Sequence, residues 1–283
     1  MIPVAFDYVR PGSVEEAVSA LSSAGDDAKI LAGGQSLLPV LRLRLADPGV
    51  IIDLGGISAL RGIRVDGDAL VVGAMATHAE VAASSLVQAE APLVAAVART
   101  VGDRQVRHRG TMGGSIAHAD PAGDLPTAAV ALDATMVLVG PNGQRSVAAR
   151  DFFTDIFTTT MAPDEVLVEV RYPRTPGWTA RYEKFHRSAQ AWALVGVAAA
   201  VRRENGSIAE ARIAFTNMGS TPVRASGVES ALAGASDVGT VKAAAARAGE
   251  ATSPPSDIHG SAEYRRHLAG VLTGRAVAAA AGW

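Results

Sequence analysis

Cysteine is absent from the 283-residue chain. That excludes disulfides, thiolate zinc sites and an iron–sulfur cluster ligated by this chain. Aromatic residues are scarce at 5%, so small residues must build much of the interior. The 29 glycines and many alanines let backbones approach each other, or a ligand, closely. Neither sign of charge dominates: the formal net charge is −2, and no run of one sign marks a nucleic-acid face or a membrane-surface patch. The six histidines are scattered without metal-ligand spacing. The longest clean apolar run, Ala193 to Val201, is too short to span a bilayer. The first residues, Met1 to Asp7, lack the basic region and apolar stretch of a signal peptide. The expectation is a globular protein of two or three small domains, cytosolic or held at a membrane only through partners.

Periodicity and turn chemistry give a mixed fold. Ser13-Val14-Glu15-Glu16 reads as a capping box opening a helix to about Ala24, followed by a short strand, Ala28 to Ala32. An Arg-bearing apolar helix is expected from Leu37 to Leu45, and Val50 to Asp53 reads as a second buried strand. Asp66-Gly67-Asp68 marks a hairpin, Thr77-His78-Ala79-Glu80 caps another helix, and Pro92 opens a third that runs to Thr100. The glycine-rich stretch from Gly102 to Asp124 reads as a long ordered loop, with a helix from Leu125 to Leu132. Thr135 to Val139 and Val166 to Val170 read as strands, and Pro173, Pro176 and Gly177 as a linker. Beyond it come three strands (Arg181 to Phe185, Val195 to Arg203, Ile208 to Thr216), then an Ala-rich helical tail from Ala225.

Two diglycine motifs stand out, Ala32-Gly33-Gly34-Gln35-Ser36 and Thr111-Met112-Gly113-Gly114-Ser115. Consecutive glycines allow backbone N–H groups to converge on an anion, and the missing Cβ lets a phosphate come close. The helix after Ser36 would aim its N-terminus at the same anion. One diglycine alone is ordinary turn chemistry. Neither the G-x-G-x-x-G fingerprint of dinucleotide-binding βαβ units nor a Walker P-loop is present.

These motifs carry a resemblance. Ala32-Gly33-Gly34-Gln35-Ser36-Leu37-Leu38-Pro39 with Arg44-Leu45-Ala46, Gly102-Asp103-Arg104-Gln105-Val106-Arg107 through Arg109-Gly110-Thr111-Met112-Gly113-Gly114-Ser115, and His118-Ala119-Asp120-Pro121-Ala122-Gly123-Asp124-Leu125-Pro126 follow in order. Together they resemble the medium, FAD-binding subunit of the carbon monoxide dehydrogenase and xanthine dehydrogenase family, over essentially the whole chain. The resemblance implies an α+β fold. A two-part FAD-binding (PCMH-type) α/β region would span residues 1–56 and 57–174, and a C-terminal antiparallel sheet with helices residues 175–283. It implies that Ile30, Leu31, Ala32, Gly33, Gly34, Gln35, Ser36 and Leu37 wrap the phosphates and ribityl chain of FAD. Gly110, Thr111, Gly113, Gly114 and Ser115 would close the other side, so that both diglycine loops hold the pyrophosphate. Val101 and Gly102 would lie near the adenine and Asp124 at the adenosine end. Met161, Lys184 and Trp192 would contact the flavin. No residue of this chain is implied as a general acid or nucleophile.

The resemblance further implies partners: a large subunit with the molybdenum cofactor and a small subunit with 2Fe–2S clusters, assembled as a dimer of heterotrimers. The FAD of this chain would accept electrons from those clusters and pass them to an external acceptor. A free-standing FAD-dependent reductase or oxidase, and a scaffold subunit without flavin, are the alternatives. Taken as residues alone, Asp124 also suits a helix N-cap, Lys184 a solvated strand position, Met161 a core position, and Trp192 a core position or a subunit anchor. Arg104, Arg107, His108 and Arg109 suit either a solvated basic face or a balance for the phosphates. The sequence departs from the family pattern at Ser188, commonly Arg, at Ala191, commonly Asp, and at His108, often Asn.

Overall fold

The computed structural model describes residues 2–283 and has three main sheets, with a two-stranded ribbon beside them. The first is small and parallel. It contains β1 (Asp7–Val9), then α1 (Val14–Ala24), β2 (Ala28–Leu31), α2 (Leu37–Arg42) and β3 (Val50–Asp53), with strand order β1-β3-β2. Ser13 caps α1 by accepting the Glu16 N–H at 3.1 Å. Ala17, Val18 and Leu21 bury the inner face of α1 against Ile52 and Leu54. The α2 helix stops at Arg42, three residues before the expected end, because the chain turns through a left-handed Arg44.

The middle region begins with β4 (Ile63–Asp66) and β5 (Ala69–Gly73) and continues through α3 (His78–Ala83), α4 (Ser85–Glu90), α5 (Pro92–Ala98), α6 (Arg104–Arg109), α7 (Met112–His118) and α8 (Asp124–Ala131). It ends with β6 (Thr135–Gly140), β7 (Gly143–Ala148), α9 (Ala149–Phe152), β8 (Phe153–Asp155), β9 (Thr158–Thr159) and β10 (Val166–Pro173). Five of these strands form an antiparallel sheet in the order β4-β5-β10-β6-β7. The expected loop from Gly102 to Asp124 is instead two short helices and the start of a third. Asp103 Oδ1 accepts the Val106 N–H at 2.8 Å, and Thr111 Oγ1 accepts the Gly114 N–H at 3.1 Å, so each of the two has a side-chain cap. The glycines there mark helix ends and close approaches rather than loop.

The C-terminal region holds β11 (Thr179–Phe185), β12 (Val195–Glu204), β13 (Ser207–Thr216), β14 (Val223–Arg224), α10 (Ser226–Leu232), α11 (Val238–Ala245) and α12 (Ala262–Ala281). Its antiparallel sheet has the order β11-β12-β13-β14. β12 is buried on both faces, and its period-2 alternation sorts its side chains by core. Val195, Val197, Ala199 and Val201 pack with the C-terminal helices, whereas Ala198 and Ala200 join the core of the middle region. That alanine face lets α5 and α8 lie close to the sheet. Tyr182 and Lys184 stand opposite Ala198 and Gly196, so they share this face and point toward α8.

Enlarging that face should therefore separate the layers. Ala198→Leu is expected to cost about 1–3 kcal/mol by overpacking, read from the urea midpoint at unchanged slope. A neutral result would show that the two layers have room to spare between them.

Candidate functional site

A cavity of ≈ 670 Å³ opens where the β2–α2 loop, the start of α7 and the β11–β12 connection meet. Of the cofactor contacts that the resemblance implies, all line it except Leu31. Leu31 ends β2 opposite Asp53 and sits behind the loop, with its Cδ1 3.4 Å from where a Cβ on Gly34 would be.

The two diglycines, alike in sequence, differ in backbone chemistry. In the first, the N–H groups of Gly33, Gly34, Gln35 and Ser36 donate to no acceptor among the described residues. Gly34 has φ +76°, a left-handed conformation that favours glycine. A Cβ on Gly33 would lie 2.1 Å from the carbonyl oxygen of Arg109. The missing side chain at Gly33 therefore lets one wall of the cavity touch the other. The result is a run of unmet donors along the cavity lining, which suits an anion nest.

The second diglycine lies inside the first turn of α7, where the donors are already satisfied. Met112 N–H donates to Ala76 O at 2.9 Å, Gly113 N–H to Ala74 O at 2.8 Å, Gly114 N–H to Thr111 Oγ1 at 3.1 Å, and Ser115 N–H to Thr111 O at 3.1 Å. A Cβ on Gly113 would come within 2.5 Å of Ala74, and one on Gly114 within 2.8 Å of Thr111 Oγ1. These glycines shape a smooth wall, from which the Ser115 hydroxyl can meet a ligand.

One end of the cavity holds a buried polar chain. Lys184 Nζ donates to Asp124 Oδ2 at 2.7 Å, with the two side chains only 6% and 2% exposed. Tyr182 OH donates to Asp124 Oδ1 at 2.6 Å and lies 2.9 Å from Thr216 Oγ1, which is 2.7 Å from Thr127 Oγ1. Burial pushes the Asp124 carboxyl up, and the Lys184 charge pulls it back. Burial and the adjacent carboxylate hold the Tyr182 hydroxyl well above its ordinary range. Asp124 is thus no N-cap; it is the first residue of α8, and Gly123 precedes it as the cap position. Lys184 is no solvated strand residue. It also reaches Thr100 O at 3.3 Å, beside Val101 and Gly102. Gln190 Nε2 donates to Asp103 Oδ2 at 2.7 Å, bringing the half-exposed Trp192 segment to the same end. Asp124 and Lys184 therefore cannot serve opposite ends of one extended ligand.

The basic α6 divides its charges. Arg107 Nη1 donates to the carbonyls of Val101 and Gly102 at 3.0 and 3.2 Å, fixing the left-handed Gly102 turn. Arg104, His108 and Arg109 do not line the cavity. Met161 packs at the margin of the middle core and also lines the cavity. His118 packs against Phe157, with ring centroids 5.0 Å apart and the ring planes tilted by 37°.

Sequence reasoning misses Lys29, His78, Phe157 and Gln190 as site residues, and all four line the cavity. His78 is the least legible. A histidine just after a capping threonine looks like a surface residue, yet it is 4% exposed and its Nδ1 is buried without a partner. Burial lowers its pKa to about 4, with the nearby Arg107 charge acting in the same direction.

Comparison with known proteins adds the family. A family model described as "FAD binding domain in molybdopterin dehydrogenase" matches residues 4–175, and one described as "CO dehydrogenase flavoprotein C-terminal domain" matches residues 180–280. The carbon monoxide dehydrogenase medium chain of Hydrogenophaga pseudoflava is 43% identical over 284 residues, covering 99% of this chain and 98% of that one. The corresponding medium chain of Afipia carboxidovorans is 39% identical, covering 98% and 97%. The solved carbon monoxide dehydrogenase from Hydrogenophaga pseudoflava superposes with a TM-score of 0.95 at 44% identity, covering 99% of this chain and 98% of that one.

His78 makes stability depend on pH. Its folded pKa lies below the ordinary value of 6.5, so its contribution is complete above pH 6.5 and is lost as pH falls toward 4. The loss is about 3 kcal/mol, since each tenfold fall in proton affinity is worth roughly 1.4 kcal/mol. Urea unfolding of wild type and His78→Met between pH 7 and 4 should give a shallower decline in the variant. Parallel declines would assign the loss to other groups.

Proposed function

Because the chain belongs to the FAD-binding medium subunits of molybdenum hydroxylases of the carbon monoxide dehydrogenase and xanthine dehydrogenase type, we propose that this cavity is the FAD site and that its walls have unequal roles. The volume lies inside the range of about 300–1,000 Å³ usual for cofactor pockets. The observation that carries the reading is the run of four unmet N–H groups from Gly33 to Ser36, which suits a diphosphate. FAD, when bound, supplies the one- and two-electron chemistry that links the iron–sulfur clusters of a partner to an external acceptor.

The chain's own residues bind, orient and enclose. Gly33, Gly34, Gln35 and Ser36 take the phosphates, with Ile30, Ala32 and Leu37 beside them and Leu31 supporting the loop from behind. Gly110, Thr111, Gly113, Gly114 and Ser115 form the smooth opposing wall. Val101, Gly102, Asp124, Lys184 and Trp192 lie together, so they serve one end of the ligand, and the aromatic Trp192 makes the isoalloxazine end the fitting one. Asp124 and Tyr182 hold the Lys184 ammonium in one orientation, which presents a fixed donor to that ring. Met161 completes the apolar lining. In this reading the chain divides at residues 1–56, 57–174 and 175–283, each part contributing a wall.

The relatives are named as medium chains, which presupposes larger and smaller companions. The assembly proposed is a cytoplasmic dimer of heterotrimers with a large molybdenum-binding subunit and a small iron–sulfur subunit. No helix of the described residues is long and apolar enough to cross a membrane, so attachment to one would come through partners.

Purified protein should be yellow, and Gly34→Val should lose most of its flavin absorbance while keeping a wild-type circular dichroism spectrum. Full flavin occupancy in that variant would overturn the loop assignment. Native purification should bring down two companion chains with molybdenum, iron and FAD. A flavin-loaded single chain without companions would favour a free-standing flavoprotein.

A further inference from the structure

The cavity has a charge balance that the nest alone does not meet. Four cationic or potentially cationic side chains line it: Lys29, His78, His118 and Lys184. Lys184 is bound to Asp124 at 2.7 Å. His78 is buried and uncharged at neutral pH. His118 packs against the Phe157 ring. Two carboxylates, Asp120 and Asp124, line the same space, so Lys29 and Lys184 against these two give a formal sum of 2 − 2 = 0. A diphosphate entering this cavity adds two negative charges, and backbone N–H groups offer only partial positive charge.

Lys29 is the one lining Lys or Arg with no carboxylate within ion-pair distance among the described residues. It sits on β2, an edge strand that pairs only with β3, and its side chain is exposed. It precedes Gly33 by four residues, about 13 Å along extended backbone. A long ammonium side chain starting there and a diphosphate in the nest can meet part-way. We propose that Lys29 supplies the counter-charge to the phosphate groups of the dinucleotide held by the Gly33–Ser36 nest. The inference rests on the proposed FAD site and adds a cation to it. Lys29 is a mobile point charge, which suits a phosphate without demanding bidentate geometry.

The test uses the full chain, stripped of flavin and titrated with FAD at about 20 mM and about 300 mM NaCl, since an exposed charge contact weakens with salt. Lys29→Met should bind FAD about tenfold more weakly at low salt, with a shallower salt dependence than wild type. Lys29→Arg should stay within about threefold of wild type, because it keeps the charge. Lys29→Met binding within twofold of wild type, or with an unchanged salt dependence, would overturn the role of Lys29 while leaving the site intact. Wild-type affinity in Gly34→Val, run alongside, would instead overturn the nest and the Lys29 assignment with it. Thermal melting of both Lys29 variants should match wild type, as expected for a side chain exposed on an edge strand.

Discussion

The buried Lys184–Asp124 pair is the interaction on which the site depends. Two charges removed from water are costly, and their attraction offsets that cost only when the remaining hydrogen-bonding capacity is also met. Here it is met: Tyr182 takes the second carboxylate oxygen and the two threonines continue the chain inward. The donors come from β11 and the acceptor from the first turn of α8, so the pair holds two regions of the chain at a fixed separation. The end of the cavity nearest Val101 and Gly102 exists because of that separation.

The glycines of the site answer to different constraints. Gly34 is required by its left-handed backbone, Gly33 by the Arg109 carbonyl, and Gly113 by Ala74. Only the first diglycine offers free N–H groups; the second has given its own to Ala74 and Thr111. The asymmetry makes one wall a polar cradle and the other a smooth backstop, a useful division for a ligand with a charged middle and flat ends.

Much of this was legible in the residues. The Thr77–Glu80 capping box, the hairpin at Gly67 and the strand from Val195 follow from local chemistry, and the structure has them. Short helices α6 and α7 were hidden because glycine-rich motifs read as loop, although Asp103 and Thr111 are ordinary N-caps. β7 was hidden because Gly143 to Ser146 are all exposed, leaving no hydrophobic alternation to see. The Lys184–Asp124 contact spans 60 residues, and its burial depends on layers that no local pattern encodes. His78 was illegible for the same reason: its desolvation comes from the Gly110 segment, far away in sequence.

The two-faced β12 bears on how such subunits can diversify. Its valines belong to one interior and its alanines to another, so the last third of the chain is not a detachable cassette. A chimaera joined near residue 177 would inherit a sheet cut to fit the helices of a different parent. Recombination between relatives should succeed only when the surfaces of α5 and α8 travel with the strand that rests on them.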